Sequence, residues 1–326
     1  MAITEKRTAL VVNGTSAPAV VTLPETGGAV WGIVIVPGSF PNDVDGNYLR
    51  EHGNPFNARP HTYKDLARQL AGEECAALRY ARGGVTTLDE DQAAAHRHFT
   101  DRTAVVAEAV RVLRTAVPGL EYCALAGHSE GGPVSLLLMT RDKEIKIDAY
   151  ISLSAPARRI FDIMLQQTEK TVQDGMACFG PMKFPFSAYK RALDLVREGQ
   201  PVPGELLKQL PPMGVYAMDE ASKLYLREYD EIDSQKLIAG IPFPVLIVQG
   251  EKDTSVYPDN AEMLLEAREG NPAPTEIVLF PELQHFYKVV PPGLDPAMAF
   301  GLETESDPSV AAVIGEWLDK MARRAL

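Results

Sequence analysis

Short apolar runs and longer amphipathic stretches succeed one another along this chain, and their order predicts an architecture. Two alternating stretches, Thr8 to Val12 and Ala19 to Leu23, are parted by the turn formers NGTSAP and read as an antiparallel pair. WGIVIVPG then stays apolar up to Pro37 and Gly38, as a strand buried on both faces does. The polar, turn-rich segment SFPNDVDGNYLREHGNPFN reads as a long loop at the end of that strand. From His61 to Gly72 the apolar residues Tyr63, Leu66, Ala67 and Leu70 recur at helical spacing, and CAALRYA follows as a strand. A helix is expected from Leu88 to Val117, closed by Pro118 and Gly119, then strand EYCALA, a helix from Glu130 to Arg141 and strand KIDAYISLS. Such alternation predicts an α/β fold, a mostly parallel sheet with helices on both faces.

The alternation pauses between Ala155 and Ile238. Only amphipathic helical patterns occur there, around Ile160 to Val172, Ala188 to Arg197, Glu205 to Leu210 and Ala221 to Tyr229. Beyond Pro244 it resumes with strand VLIVQG, a helix from Asp259 to Arg268, strand TEIVLF and a last helix from Ser309 to Arg323. The expected organisation is one α/β core made of residues 1–154 and 239–326, interrupted by a helical cap at 155–238.

Composition narrows the picture. A hydrophobic share of 45% and a charged share of 23% over 326 residues describe a chain able to bury its own core. The net charge of -12 opposes a nucleic-acid backbone or an anionic membrane as partner. The start MAITEKRTALVVNG lacks a basic region followed by an apolar one, and no run reaches the roughly 18 apolar residues of a membrane span. Cys75, Cys123 and Cys178 show no C-x-x-C or Cys/His spacing, so neither a metal nor a disulfide framework is implied. There is no glycine-rich dinucleotide fingerprint and no phosphate loop, hence no cofactor. These features lead to the expectation of a cytoplasmic protein acting on a small molecule, and a homo-oligomer is compatible with them.

The candidate chemistry begins at Gly127, His128, Ser129, Glu130 and Gly131, a G-x-S-x-G pentapeptide. The match alone is only moderate evidence, since a Gly-Ser turn at a strand end reads the same. Its setting is more specific: it follows strand YCALA and precedes the helical run PVSLLLM, where a sharp turn would expose Ser129 Oγ above the sheet. A serine hydroxyl needs a base, and the base needs an orienting acid. Asp253, in VLIVQGEKDTSV, and His285, in IVLFPELQHFYK, both lie just past apolar strands, at the sheet edge where such folds place their sites. Glu251 is the rival acid. The other histidines, His52, His61, His96 and His98, read as surface groups, and His128 as a structural one. Two backbone donors are needed for an oxyanion, one from Glu130 and one from the PGSF loop, at Ser39 or its neighbour Phe40.

These residues, with the blocks VPGSFPNDVDGN, DLARQLA, ALRYARGG, AGHSEGG, LIVQGEKDTSV and LFPELQHFYK, give the chain a resemblance to bacterial α/β-hydrolase-fold carboxylesterases with a helical cap. These are related to dienelactone hydrolases and to prolyl-oligopeptidase-type catalytic domains. The resemblance implies an esterase on short acyl esters, with Ser129, Asp253 and His285 matching the family's triad and a cap that covers the substrate. The chain departs from the family at Phe40, where glycine is usual, and at Ala81, where an aspartate and a basic residue are usual. Phe40 is expected to narrow the acyl side of the pocket, and Phe179, Phe184 and Phe186 are the candidate cap contacts. The alternatives are a peptidase or amidase, an acyl-thioester hydrolase, and a catalytically silent member that binds a small ligand.

Overall fold

The computed structural model describes residues 3–25, 29–52, 54, 57–82, 98–174, 184–210 and 218–325. The strands are β1 (Ile3–Val12), β2 (Thr15–Pro24), β3 (Trp31–Val36), β4 (Ala76–Tyr80), β5 (Tyr122–His128), β6 (Ala149–Leu153), β7 (Val245–Gly250) and β8 (Thr275–Phe280). They form one sheet in the order β1-β2-β4-β3-β5-β6-β7-β8. β2 runs antiparallel to both β1 and β4, and every other pairing is parallel. The parallel sheet of the sequence reading is therefore realised. Its opening pair is longer than expected because β1 is an edge strand whose outer half, Thr4 to Arg7, is exposed and largely charged. Charge on an edge blunts further strand pairing, and it also hides the strand from a search for apolar alternation.

The helices are α1 (Thr62–Gly72), α2 (Asp101–Ala116), α3 (Gly131–Arg141), α4 (Ile160–Asp174), α5 (Phe186–Arg197), α6 (Gly204–Leu207), α7 (Glu220–Asp230), α8 (Ser234–Gly240), α9 (Asp259–Glu266) and α10 (Pro308–Ala325). Successive residues of a strand point to opposite faces, and this divides the core in two. Ile33 and Ile35 of β3 pack with Leu66 and Leu70 of α1 and with Ile314 and Leu318 of α10. Val34 and Val36 pack on the other side with Val106 and Leu113 of α2, Val134 and Leu137 of α3, and Leu264 of α9. Each such aliphatic side chain, fully buried, contributes about 1.5–3 kcal/mol. The stretch Leu88 to Asp101, where a helix was expected to begin, lies outside the described residues up to 97, and α2 starts at Asp101.

Between β6 and β7 the described residues are helical from α4 to α8. This segment has a core of its own, with Phe161, Tyr189, Leu193, Val196 and Met218 buried together. α8 escaped the periodicity reading because it is short; Asp233 caps it by accepting from the backbone N–H of Lys236 at 3.0 Å. Both ends of the segment are tied to α9. Asn260 Oδ1 accepts from the N–H groups of Ala157 and Arg158 at 3.0 and 3.2 Å. Arg268, just past α9 and buried, donates to the carbonyls of Ile238, Ile241 and Phe243 at 2.9, 2.6 and 3.1 Å. No helix among the described residues is long and apolar enough to cross a membrane.

Candidate active site

β5 ends at His128, and Ser129 follows with φ 52°, in the left-handed region that non-glycine residues rarely occupy. The turn is held by the Ser129 N–H to Leu153 carbonyl bond of 2.9 Å and by Gly132 N–H to the Ser129 carbonyl at 2.9 Å. It is possible because α3 starts against β3: a Cβ on Gly131 would stand 2.1 Å from the Val36 carbonyl oxygen, and one on Gly127 2.7 Å from that of Gly131. Ser129 is thus presented at the N-terminus of α3, half-buried, at the carboxyl end of the sheet.

The loops after β7 and β8 come together at the same edge. Backbone bonds from Glu251 to Phe280 (2.9 Å) and from Lys252 to Leu283 (3.0 Å) join them, and Gly250 lies so close to Leu283 that a Cβ would be 2.3 Å from its carbonyl oxygen. Asp253 and His285 are buried, and His285 Nδ1 lies 2.7 Å from Asp253 Oδ2. Asp253 is otherwise saturated: Oδ1 accepts from the N–H groups of Ser255 and Val256 at 2.8 and 2.9 Å, and Oδ2 from Gln249 Nε2 at 3.1 Å. With these donors facing it the carboxylate is an acceptor only, so His285 carries its proton on Nδ1 and leaves Nε2 as the basic nitrogen. Glu251 is exposed, whereas Asp253 is buried against His285.

His128 fills the space behind. Its Nε2 lies 3.0 Å from the His285 carbonyl, an acceptor, so that nitrogen is protonated; Nδ1 then accepts from Tyr63 OH at 3.1 Å, and Tyr63 OH itself accepts from Gly38 N–H at 2.8 Å. Burial, reinforced by the nearby His285, lowers the His128 pKa to about 3. His128 is thus a neutral strut between the loop after β3 and the backbone of His285.

The PGSF loop lies over Ser129: a Cβ on Gly38 would stand 3.0 Å from the Ser129 Cβ. Phe40, at φ 66°, packs in a cluster with Tyr48, Ala58, Phe286 and Phe300. Ser39 Oγ donates to Glu130 Oε2 at 2.9 Å. Glu130, expected to contribute only its backbone, is fully ringed by donors: Arg82 at 3.0 Å, Tyr225 OH at 2.5 Å and Arg102 all reach Oε1. Burial raises its pKa, but the guanidiniums of Arg82 and Arg102 and the hydroxyls of Tyr225 and Ser39 outweigh this and hold it below the ordinary carboxylate value. Tyr225 belongs to α7, so the helical segment reaches the elbow through this side chain. Little in the sequence announces the group. An acidic residue inside the pentapeptide, followed directly by buried helix, is the one available hint that cations must converge there.

Other candidates fall elsewhere. Phe184 meets Tyr189 at 6.0 Å between ring centroids, inside the segment's own core, and Phe186 is half-buried at the start of α5. Phe179, like Cys178 and His96, lies outside the described residues. His98 is not idle on the surface: its Nδ1 is 2.6 Å from Glu228 Oε1 on α7. Cys75 and Cys123 are buried free thiols whose pKa values burial pushes up to about 12. Among the described residues no group of three or more His, Cys, Asp or Glu is arranged to hold a metal ion. An open groove of about 890 Å³ beside Val11, Asn13, Arg111 and Arg141 shares no residue with the Ser129 assembly.

No family model matches the chain. It is 24% identical over 277 residues to Esterase EstD of Thermotoga maritima, an alignment covering 85% of this chain and 58% of that protein, so the chain spans little more than half the length of this relative. Among solved structures it superposes on Est1E from Butyrivibrio proteoclasticus with a TM-score of 0.56 at 15% identity, over 97% of this chain and 99% of the other. A dienelactone hydrolase from Anabaena variabilis aligns with a TM-score of 0.51 at 14% identity, over 98% of each chain.

Proposed function

We propose that this chain, which has the α/β-hydrolase fold, is a serine hydrolase that cleaves carboxylic esters through an acyl-enzyme. The observation that carries the reading is the buried 2.7 Å bond between His285 Nδ1 and Asp253 Oδ2, at the sheet edge where Ser129 stands on a left-handed turn. Ser129 Oγ attacks the ester carbonyl carbon while His285 Nε2 takes its proton, and Asp253 stabilises the imidazolium so formed. The tetrahedral oxyanion is received by the backbone N–H groups of Glu130 and of Ser39, with Phe40 as the alternative second donor. His285 then returns the proton to the leaving alcohol. Water, deprotonated by the same imidazole, repeats the sequence on the acyl-enzyme and releases the acid.

In this reading the helical segment 155–238 is the cap, and Phe40, beside Phe286 and Phe300, narrows the acyl side so that short acyl groups are accepted. Phe179, Phe184 and Phe186 would contribute the cap's apolar face. The buried thiols fit a reducing, cytoplasmic setting.

The test is hydrolysis of p-nitrophenyl esters of increasing acyl length by the parent and by Ser129→Ala, together with mass measurement after treatment with a fluorophosphonate. Ser129→Ala is expected to lose all but residual turnover and to take no adduct. Undiminished turnover in that variant would remove Ser129 from the mechanism. Turnover of aminoacyl amides or acyl thioesters, but not of esters, would transfer the same chemistry to a different substrate class.

A further inference from the structure

Two backbone donors on different loops are useful to an oxyanion only if their separation is fixed. One comes from the elbow at Glu130, the other from the loop at Ser39; the β3–β5 pairing ends at Val36 and Gly127, three residues before each donor. The loop also keeps Phe40 at φ 66°, a conformation that persists only when the surroundings impose it.

Besides the Gly38 bond to Tyr63 and the Asn54 bond to the Pro41 carbonyl, three ties lead from the loop to one carboxylate. Ser39 Oγ donates to Glu130 Oε2 at 2.9 Å. Arg102, ion-paired with Glu130, donates through Nη2 to the Pro37 carbonyl at 2.5 Å. Arg82, whose Nη2 is 3.0 Å from Glu130 Oε1, exchanges both backbone hydrogen bonds with Asn42 at 3.0 Å. The loop is therefore fastened at residues 37, 39 and 42. Glu130 and both arginines are buried, so these charge-assisted bonds are shielded from water and cannot be traded for it without cost.

We infer that the Glu130 carboxylate and the Ser39 hydroxyl are positioning groups of the oxyanion hole, one acidic side chain holding the two backbone donors at a fixed separation. The inference rests on the serine-hydrolase reading above. Glu130 carries one donor on its own backbone and grips the residue that carries the other. Ser39 is the only one of the three ties made by a small, half-buried side chain, so it can be removed without leaving a buried charge unpaired.

The experiment compares the parent, Ser39→Ala and Ser39→Thr in the full chain. It measures kcat and KM on p-nitrophenyl acetate, the inhibition constant of a trifluoromethyl ketone, whose serine adduct carries an oxyanion, and the melting temperature. Ser39→Ala is expected to lower kcat and weaken the ketone in parallel, by about tenfold to a hundredfold. KM should stay at the parent's value, because the backbone donors meet an oxyanion only in the transition state, and the melting temperature should fall by only a few degrees through the lost Ser39–Glu130 bond. Ser39→Thr, which keeps the hydroxyl, should recover most of the loss. Parental kcat and ketone affinity in Ser39→Ala, a loss confined to KM, or a threonine variant no better than alanine would each overturn the clamp. If the parent itself neither turns over esters nor takes a phosphonate on Ser129, the hydrolase reading fails and the clamp falls with it; a parent that does both isolates the clamp as the failing part.

Discussion

Acidification should expose the cost of keeping His128 neutral. In the folded chain burial, reinforced by the nearby His285, lowers its pKa from 6.5 to about 3, and a second ring proton would have to sit on Nδ1, which already accepts from Tyr63 OH. The unfolded chain takes that proton near the ordinary value. Below pH 6.5 the unfolded state thus binds more protons than the folded one, and stability falls with pH until about pH 3, by roughly 1.4 kcal/mol per unit. Integrated from pH 7 to pH 5, a window above the titration of ordinary carboxylates, the loss is about 2 kcal/mol. The assay is urea unfolding at the two pH values, followed by the fluorescence of the buried Trp31 and Trp317, in the parent and in His128→Gln. The glutamine keeps a donor for the His285 carbonyl but has no group that titrates. Its stability at pH 7 should be lower, by about 1–3 kcal/mol, through the lost Tyr63 partner. The difference between the two proteins should then move by about 2 kcal/mol in favour of the glutamine variant at pH 5. All other histidines are common to both and cancel. An unchanged difference between the two pH values would refute the argument.

Three further outcomes are expected. Gly131→Ala should fail to give soluble folded protein, because its methyl would stand 2.1 Å from the Val36 carbonyl oxygen, whereas Gly240→Ala, with nothing within 4 Å, should express and melt like the parent. Asp253→Asn should lower kcat by roughly a thousandfold or more, and Glu251→Gln should keep the parent rate; ester kinetics with the reverse order would move the orienting acid to Glu251. Replacing Phe184 and Phe186 by alanine should change the ranking of ester chain lengths by about 1–3 kcal/mol per buried contact, while fluorophosphonate titration still counts a full complement of reactive Ser129; an unchanged ranking would assign both rings to the helical segment's own packing.

What could be read from the sequence follows from the range of the interactions involved. β3, β5 and β7 announce themselves because a strand buried on both faces must be apolar throughout, and the two faces of β3 do go to different helices. Ser129 and Asp253 stand out because they lie one and three residues past such strands, and His285 because it lies five residues past β8, which is only half-buried. Gln249 could also have been noticed, as the polar member of VLIVQG; it holds Asp253 from the strand itself. The Glu130 cluster was not legible. Its partners come from the loops after β3 and β4, from α2 and from α7, and no local pattern says that Ser39, Arg82, Arg102 and Tyr225 meet. β1 was half missed for the opposite reason, since its charged residues serve the edge rather than the core.

The attachment of the helical segment at Asn260 and Arg268 bears on how such a chain can change over time. Both ends of the excursion are tethered at one short helix of the core, which sets the distance between entry and exit. Closing a longer excursion across that fixed span costs little, about 0.6 kcal/mol for each doubling of its length. The stretch before α7 can accordingly be lengthened, shortened or exchanged while Asn260 still holds Ala157 and Arg158, and Arg268 still holds Ile238, Ile241 and Phe243. The interchangeable part ends before Tyr225, whose hydroxyl reaches Glu130 from α7.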